Sequence, residues 1–240
     1  VFGNFNLYEG KKEVTDISKM TTFAPEKFVQ TIYNEGVGVT HNIFGKLGFS
    51  YMITPNHSIG AYYKLGRSNT QSEGKLDTKS IMADNPSTSP LEHTLYSFDI
   101  DSKNYPSQEA NLYYNGSVGN LSMDFNADYL QNRSTSNDLQ IGYQSIQNIP
   151  NSIIESTGLT TNRLIAEKFI ISYPVWKGEL EIGEEYTNSS LSYDYKYTGA
   201  SIDNTLTDIH ENNFAGFATL SQTFGKVDVS LGLRYEFAKY

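Results

Sequence analysis

The sequence predicts an all-β chain, an antiparallel up-and-down meander of about 8 to 10 long strands with short turns at one end and long loops at the other. Three observations carry that prediction. The chain is rich in Tyr (18), Phe (13) and Gly (19); aromatic side chains favour strands, and glycine favours the turns between them. Apolar and polar residues alternate over long stretches, which gives a strand one apolar and one wet face. Turn signals join these stretches in pairs, and much longer polar segments separate one pair from the next.

From the N-terminus, VFGNFNLY reads as a strand, EGKKEVTDISK as a polar loop, and FVQTIYNEGVGVT as a further strand that runs into the next. Four hairpins follow. NIFGKLGFSYMI (42–53) pairs with SIGAYYKLGR (58–67) across TPNH, where Pro55-Asn56 marks the turn. EANLYYNG joins LSMDFNADYLQ through the region of Asn115-Gly116. LIAEKFIISY (164–173) joins ELEIGEEY (179–186) across PVWKG, and NNFAGFATLSQTF (212–224) joins VDVSLGLRYEF (227–237) at Gly225-Lys226. Residues 68–108, 132–163 and roughly 196–211 are rich in Ser, Thr, Asn and Asp and read as long connections. The whole of 1–240 is expected to form a single domain.

A protein core and a lipid bilayer select nearly the same alternating letters. Three features favour lipid. Strands such as 226–239 exceed the usual 5 to 6 residues of globular proteins and suit a tilted membrane crossing of about 9 to 11 residues. Short and long connections alternate strictly, as in barrels with brief turns on one side of a membrane and large loops on the other. Aromatic residues gather near strand ends: Tyr51, Tyr173, Trp176, Tyr186, Phe224 and Tyr235. The expectation is therefore part of a transmembrane β-barrel.

Composition bounds the rest. No window approaches 18 consecutive apolar residues, so no transmembrane helix is expected. The absence of cysteine removes disulfides and thiolate metal sites. A net charge of −9 argues against nucleic acid, and against anionic lipid headgroups, as the main partner. No charged and apolar leader precedes VFGNFNLY, so no signal peptide is expected in these residues.

GLRYE, at Gly232, Leu233, Arg234, Tyr235 and Glu236, closes a hairpin that resembles the barrel of TonB-dependent outer-membrane receptors. The similarity is to the outer membrane protein β-barrel family of Bacteroides-like bacteria. GKLGFSYMITPNHSIGAYYKLG (45–66) resembles an earlier hairpin of that family, and VFGNFNLY a still earlier strand. The resemblance implies a location in the Gram-negative outer membrane and a parent protein with a plug domain, a TonB-contacting segment and about 22 strands. Against that pattern the chain looks like an internal barrel fragment, without plug or barrel C-terminus. Its isolated form is expected to self-associate through sheet edges.

Catalytic patterns are weak, and no enzyme activity, cofactor or metal is expected. His41, His57, His93 and His210 are scattered, with no pair at ligand spacing. His57 and Ser58 are adjacent on a strand and point to opposite faces, which is wrong for a nucleophile and its base. The carboxylates Glu179, Glu181, Asp124 and Asp128 lie on wet faces with nothing to desolvate them, as a glycosidase would need. GVGVTHNIFG lacks the strand–turn–helix setting of a phosphate loop.

By face, Leu121, Met123, Phe125, Leu231 and Leu233 are expected to meet lipid. Lys46, Lys64, Asp124, Asn126, Asp128, Arg234 and Glu236 are expected to face the lumen, against the plug or along the path of a small-molecule or oligomeric nutrient. The polar loops are the expected place of ligand capture. The leading expectation is a barrel segment of a TonB-dependent nutrient transporter. The alternatives are a soluble carbohydrate-binding β-sandwich and a small complete barrel with a structural or adhesive role.

Overall fold

The computed structural model describes residues 1–23, 28–82, 92–144, 149–199 and 201–240. They form one antiparallel sheet of ten strands: β1 (Phe2–Thr22), β2 (Phe28–Thr54), β3 (His57–Met82), β4 (Glu92–Asn104), β5 (Ser107–Val118), β6 (Leu121–Gln144), β7 (Ile149–Val175), β8 (Gly178–Thr198), β9 (Thr205–Phe224) and β10 (Val227–Lys239). Sequence neighbours are sheet neighbours except at β4 and β5, which both lie between β3 and β6, and β1 and β10 stand at the two edges. The expected all-β up-and-down meander is what forms.

β4 and β5 share one place in the sheet. β3 pairs with β4 along its upper half and with β5 along its lower half, and β6 does the same from the other side. The break falls at Tyr105-Pro106. Pairing passes from Asn69↔Lys103 to Gly66↔Ser107, so two residues of β3 oppose three of this strand. Proline has no N–H to give the ladder, and the extra residue reverses which parity points to which face. Tyr105 N still donates to Arg133 O at 2.8 Å, which keeps the two halves in one sheet.

Two-residue turns at Pro55-Asn56, Gly119-Asn120, Trp176-Lys177 and Gly225-Lys226 close the hairpins at one end, hereafter the lower end. Gly119 and Gly225 have φ of 60° and 69°, the left-handed geometry that tight hairpins require. The second turn corrects the reading at Asn115-Gly116. Those residues lie inside β5, paired with Asp124 and Met123, because the alternation of Leu112, Tyr114, Gly116 and Val118 continues through them.

The larger correction concerns the polar segments. EGKKEVTDISK belongs to β1, and residues 68–82, 92–104, 132–144, 149–163, 196–198 and 205–211 are strand rather than loop; 83–91, 145–148 and 200 lie outside the described residues. β2 and β7 each run 27 residues, far beyond the roughly 9 to 11 that a membrane crossing uses. Once the lower half fixes register, backbone pairing carries these strands on although both faces are polar.

Hydrophobic burial is almost absent. Among the described residues Ala215, 1% exposed, is the one buried hydrophobic side chain, and no large side chain is fully buried. Leu231 and Leu233 are 70% and 82% exposed. A single-layer sheet with an uncovered apolar face is the wall of something, and it has no core of its own.

Candidate functional site

Paired residues in a sheet share a face, so register assigns the faces strand by strand. Met123 and Phe125 pair with Gly116 and Tyr114 on β5 and with Ile171 and Phe169 on β7, and Leu121 pairs with Val118. Ile171 leads to Ile182, then Ala218, then Leu233, while Leu231 meets Leu220. On the other side Tyr114 leads to Ile59 and Tyr51, and Leu112 to Ala61 and Phe49. All five residues expected on the apolar side therefore lie on one face, in a band that crosses every strand position of the lower half. Two carboxylates interrupt that band at mid-height: Glu184, paired with Phe169 and Gly216, and Glu167, paired with Ala127 and Tyr186.

The opposite face collects the charged residues. Asn126 pairs with Lys168, then Glu185, Ala215 and Glu236. Asp124 leads through Ile170 and Gly183 to Phe217 and Arg234, and Lys46 through Lys64 to Glu109. Asp128 falls one row above Asn126, opposite Asn111. All seven residues expected on the polar side share this face.

Register also supplies partners that parity alone did not show. Lys64 Nζ lies 3.1 Å from Glu109 Oε2, and Tyr62 donates its hydroxyl to Glu109 Oε1 at 2.8 Å. Lys46 Nζ sits 3.4 Å above the centre of the Tyr62 ring. Asn111 Nδ2 donates to Asn126 Oδ1 at 2.9 Å and to Asp128 Oδ1 at 2.7 Å, and Asn115 donates to Asp124. Further along, Glu185 accepts from Lys168 at 2.8 Å and from Arg234 Nη1 at 2.8 Å, while Arg234 Nε reaches Glu236 at 2.5 Å. Glu109 and Asn111 were legible from the alternation of EANLYYNG. Glu185 was not, because Glu184-Glu185 puts a carboxylate on each face.

Two glycines flatten this wall. Gly60 faces Tyr113 and Gly183 faces Phe217 across the ladder, and in each the ring lies where a Cβ would project, with ring atoms 2.4 Å from that position. Bulky rings thus lie along the sheet instead of standing out from it. Tyr113 then reaches Ser50 Oγ at 2.7 Å.

Above the band the sheet is polar on both sides. There a hydrogen bond from Lys11 at 2.9 Å holds the exposed Glu13 carboxyl below its ordinary value of 4.5. On the apolar side Glu13, Val37, Glu73, Asp99 and Leu139 form one row over a shallow depression floored by Val37, Leu139 and Ile141. His57 Nδ1 lies 2.7 Å from the Tyr114 hydroxyl on the apolar face, while Ser58 pairs with Asn115 on the other. Among the described residues no cluster of three His, Asp or Glu is placed to hold a metal ion.

The profile of the outer membrane protein beta-barrel family matches residues 116–240, more than half of the chain, so the chain belongs to that family. It is a β-barrel chain of the outer membrane. No curated protein matches. Among solved structures, BauA, the ferric preacinetobactin receptor from Acinetobacter baumannii, shares 10% identity at a TM-score of 0.35; the match covers 89% of this chain and 40% of the receptor. OmpT of Vibrio cholerae shares 11% identity at a TM-score of 0.13 over 98% of this chain and 99% of its own. This chain thus spans less than half the length of the BauA receptor.

Proposed function

We propose that this member of the outer membrane protein beta-barrel family forms part of the wall of a receptor that takes up a nutrient, using energy passed from the inner membrane through a TonB system. The observation that carries the reading is the inverted sheet: an apolar band that crosses the lower half and is left open on one face, and an opposite face filled with paired charges. A soluble sandwich would cover the band with a second sheet. In the proposed arrangement Leu121, Met123, Phe125, Leu231 and Leu233 meet lipid. Lys46, Lys64, Asp124, Asn126, Asp128, Arg234 and Glu236 line the aqueous interior, against a plug domain or along the path of the substrate. The tight turns lie on the periplasmic side, and the polar halves of the strands rise outside the cell.

The wall works by binding and passage rather than by catalysis, and the substrate is a small-molecule or oligomeric nutrient. Its two edge strands, β1 and β10, seek partners, so the isolated chain associates with a second copy unless the rest of a barrel closes it. Uptake measurements test the reading. Cells with and without the protein that contains this chain are offered labelled iron chelates, cobalamin, oligosaccharides and peptides. Entry of one class that needs both the protein and an energised inner membrane is expected. Entry of all classes in de-energised cells would mark an open pore and contradict the receptor reading.

A further inference from the structure

Three of the four arginines in the sequence, Arg67, Arg133 and Arg163, are far apart in the chain but meet on one patch of the sheet. Arg67 continues the apolar-face parity of Tyr63 and Leu65 on β3, opposite Ile43; Arg133 and Arg163 continue that of Tyr129 on β6 and Ile165 on β7. Arg67 and Arg133 flank the strand broken at Tyr105-Pro106. With strands about 4.8 Å apart they stand about 10 Å from each other. Arg163, paired with Gln131, is the diagonal neighbour of Arg133, at about 7 to 8 Å.

The patch sits at the upper margin of the apolar band. That margin is drawn by tyrosines whose rings lie in the band and whose hydroxyls turn up to amide side chains: Tyr63 to Gln108 at 3.0 Å and Tyr129 to Gln131 at 2.7 Å. This is how tyrosine behaves at a membrane–water boundary. The arginines occupy the next level. Arg133 is held over the Tyr105 ring at 4.8 Å and Arg163 over the Tyr129 ring at 5.8 Å, so both heads are positioned. No ion pair of these three arginines occurs among the described residues, whereas Lys103 nearby is bonded to Asp101 at 2.6 Å. Three unneutralised guanidiniums on a chain of net charge −9 reverse locally what the total charge implies.

We propose that Arg67, Arg133 and Arg163 form a binding site on the outside of the barrel for the phosphate groups of the glycolipid in the outer leaflet. The site rests on the reading that the tight turns are periplasmic. A guanidinium forks two hydrogen bonds to a phosphate, and three of them spread over about 16 Å of the sheet, from Arg67 through Arg133 to Arg163, match a headgroup carrying more than one phosphate better than a single-phosphate lipid. The site would anchor the wall at a fixed depth and keep annular glycolipid at this sector of the barrel.

The test uses the full protein that contains this chain, purified from outer membranes, with bound lipid counted by native mass spectrometry. The diphosphorylated glycolipid core and its dephosphorylated form are added in detergent. The parent is expected to hold the phosphorylated form and release the dephosphorylated one. The triple variant R67Q/R133Q/R163Q should bind at least tenfold more weakly, the triple lysine variant should fall between, and Lys226→Gln at the opposite end should change nothing. Equal binding by parent and glutamine variant, or equal binding of both lipids, would overturn the proposal. A single cysteine at Thr157, four residues above the level of Arg133 on the same face, labelled by an impermeant reagent on intact cells, checks the orientation independently. Failure to label there overturns the periplasmic-turn reading, and with it the leaflet, without touching the lipid count.

Discussion

The lower and upper halves of β6 obey different rules. Residues 121–129 alternate strictly, with Leu121, Met123, Phe125, Ala127 and Tyr129 on one face and Ser122, Asp124, Asn126 and Asp128 on the other; Leu130 and Gln131 reverse the pattern, and residues 132–144, NRSTSNDLQIGYQ, are mostly polar on both faces. Both halves are strand and keep the same partner, β7, in continuous register up to Gly142. Strand structure here depends on the ladder and on register set below. Alternation records only that the two faces meet different media. Where water lies on both sides, the pattern vanishes and the strand remains.

The largest expected break between the halves comes from charge on the apolar face. Leu233→Arg should cost about 2 to 4 kcal/mol in a bilayer folding titration, whereas Thr157→Arg, on the same face but in the upper half, should stay within about 0.5 kcal/mol. Similar costs at the two sites would remove the lipid from the account. Next come the glycines. Gly183→Val meets both the Phe217 ring and the Phe169 carbonyl, 2.9 Å from the new Cβ, and should lose about 1 to 3 kcal/mol. Gly158→Ala meets only the Tyr195 ring, which can swing away, and should lose less in the same titration.

Charge pairs on the polar face should matter less. Arg234→Met leaves Glu185 its bond to Lys168, so the expected loss is about 1 kcal/mol or below, read from the unfolding midpoint. Glu184→Leu removes one of the two mid-height carboxylates on the apolar face, leaving Glu167, and should raise that midpoint slightly; a fall would mean that Glu184 has a polar partner in the barrel. The smallest effect belongs to Glu13→Gln in the upper half. The carboxyl of Glu13 is held below its ordinary value, so its contribution exists above that value and disappears as pH falls. Being fully exposed, it should leave unfolding at neutral pH unchanged.

The same contrast explains what the sequence disclosed. Every hairpin of the lower half was legible, because Leu, Ile, Phe and Tyr had to fall at every second position against one medium. The turn at Gly119 was misplaced because Asn115-Gly116 is the stronger local turn pair, and only pairing with β6 overrides it. The upper strands were read as loops for want of alternation. The sides of Lys64, Asp124, Asn126 and Arg234 followed from parity, but the bonds of Lys64 to Glu109, of Asn126 to Asn111 and of Arg234 to Glu185 needed inter-strand register. Arg67, Arg133 and Arg163 carried no local signal, and two of them fell in segments taken for loops. Their meeting exists only in the folded sheet.

Near Arg133, β6 passes from a membrane-bounded wall into water. The chain has no cysteine, so single cysteines can be placed from Ser122 to Gln140 in the full protein in native outer membranes and reacted with a water-soluble thiol reagent. Reactivity should show a two-residue period below Arg133, high at Asp124, Asn126 and Asp128 and low at Met123, Phe125 and Ala127. Above Arg133 both faces should react alike. Uniform reactivity from 122 to 132, or protection of Asp124 and Asn126 with Met123 and Phe125 open, would contradict a membrane-bounded wall below Arg133.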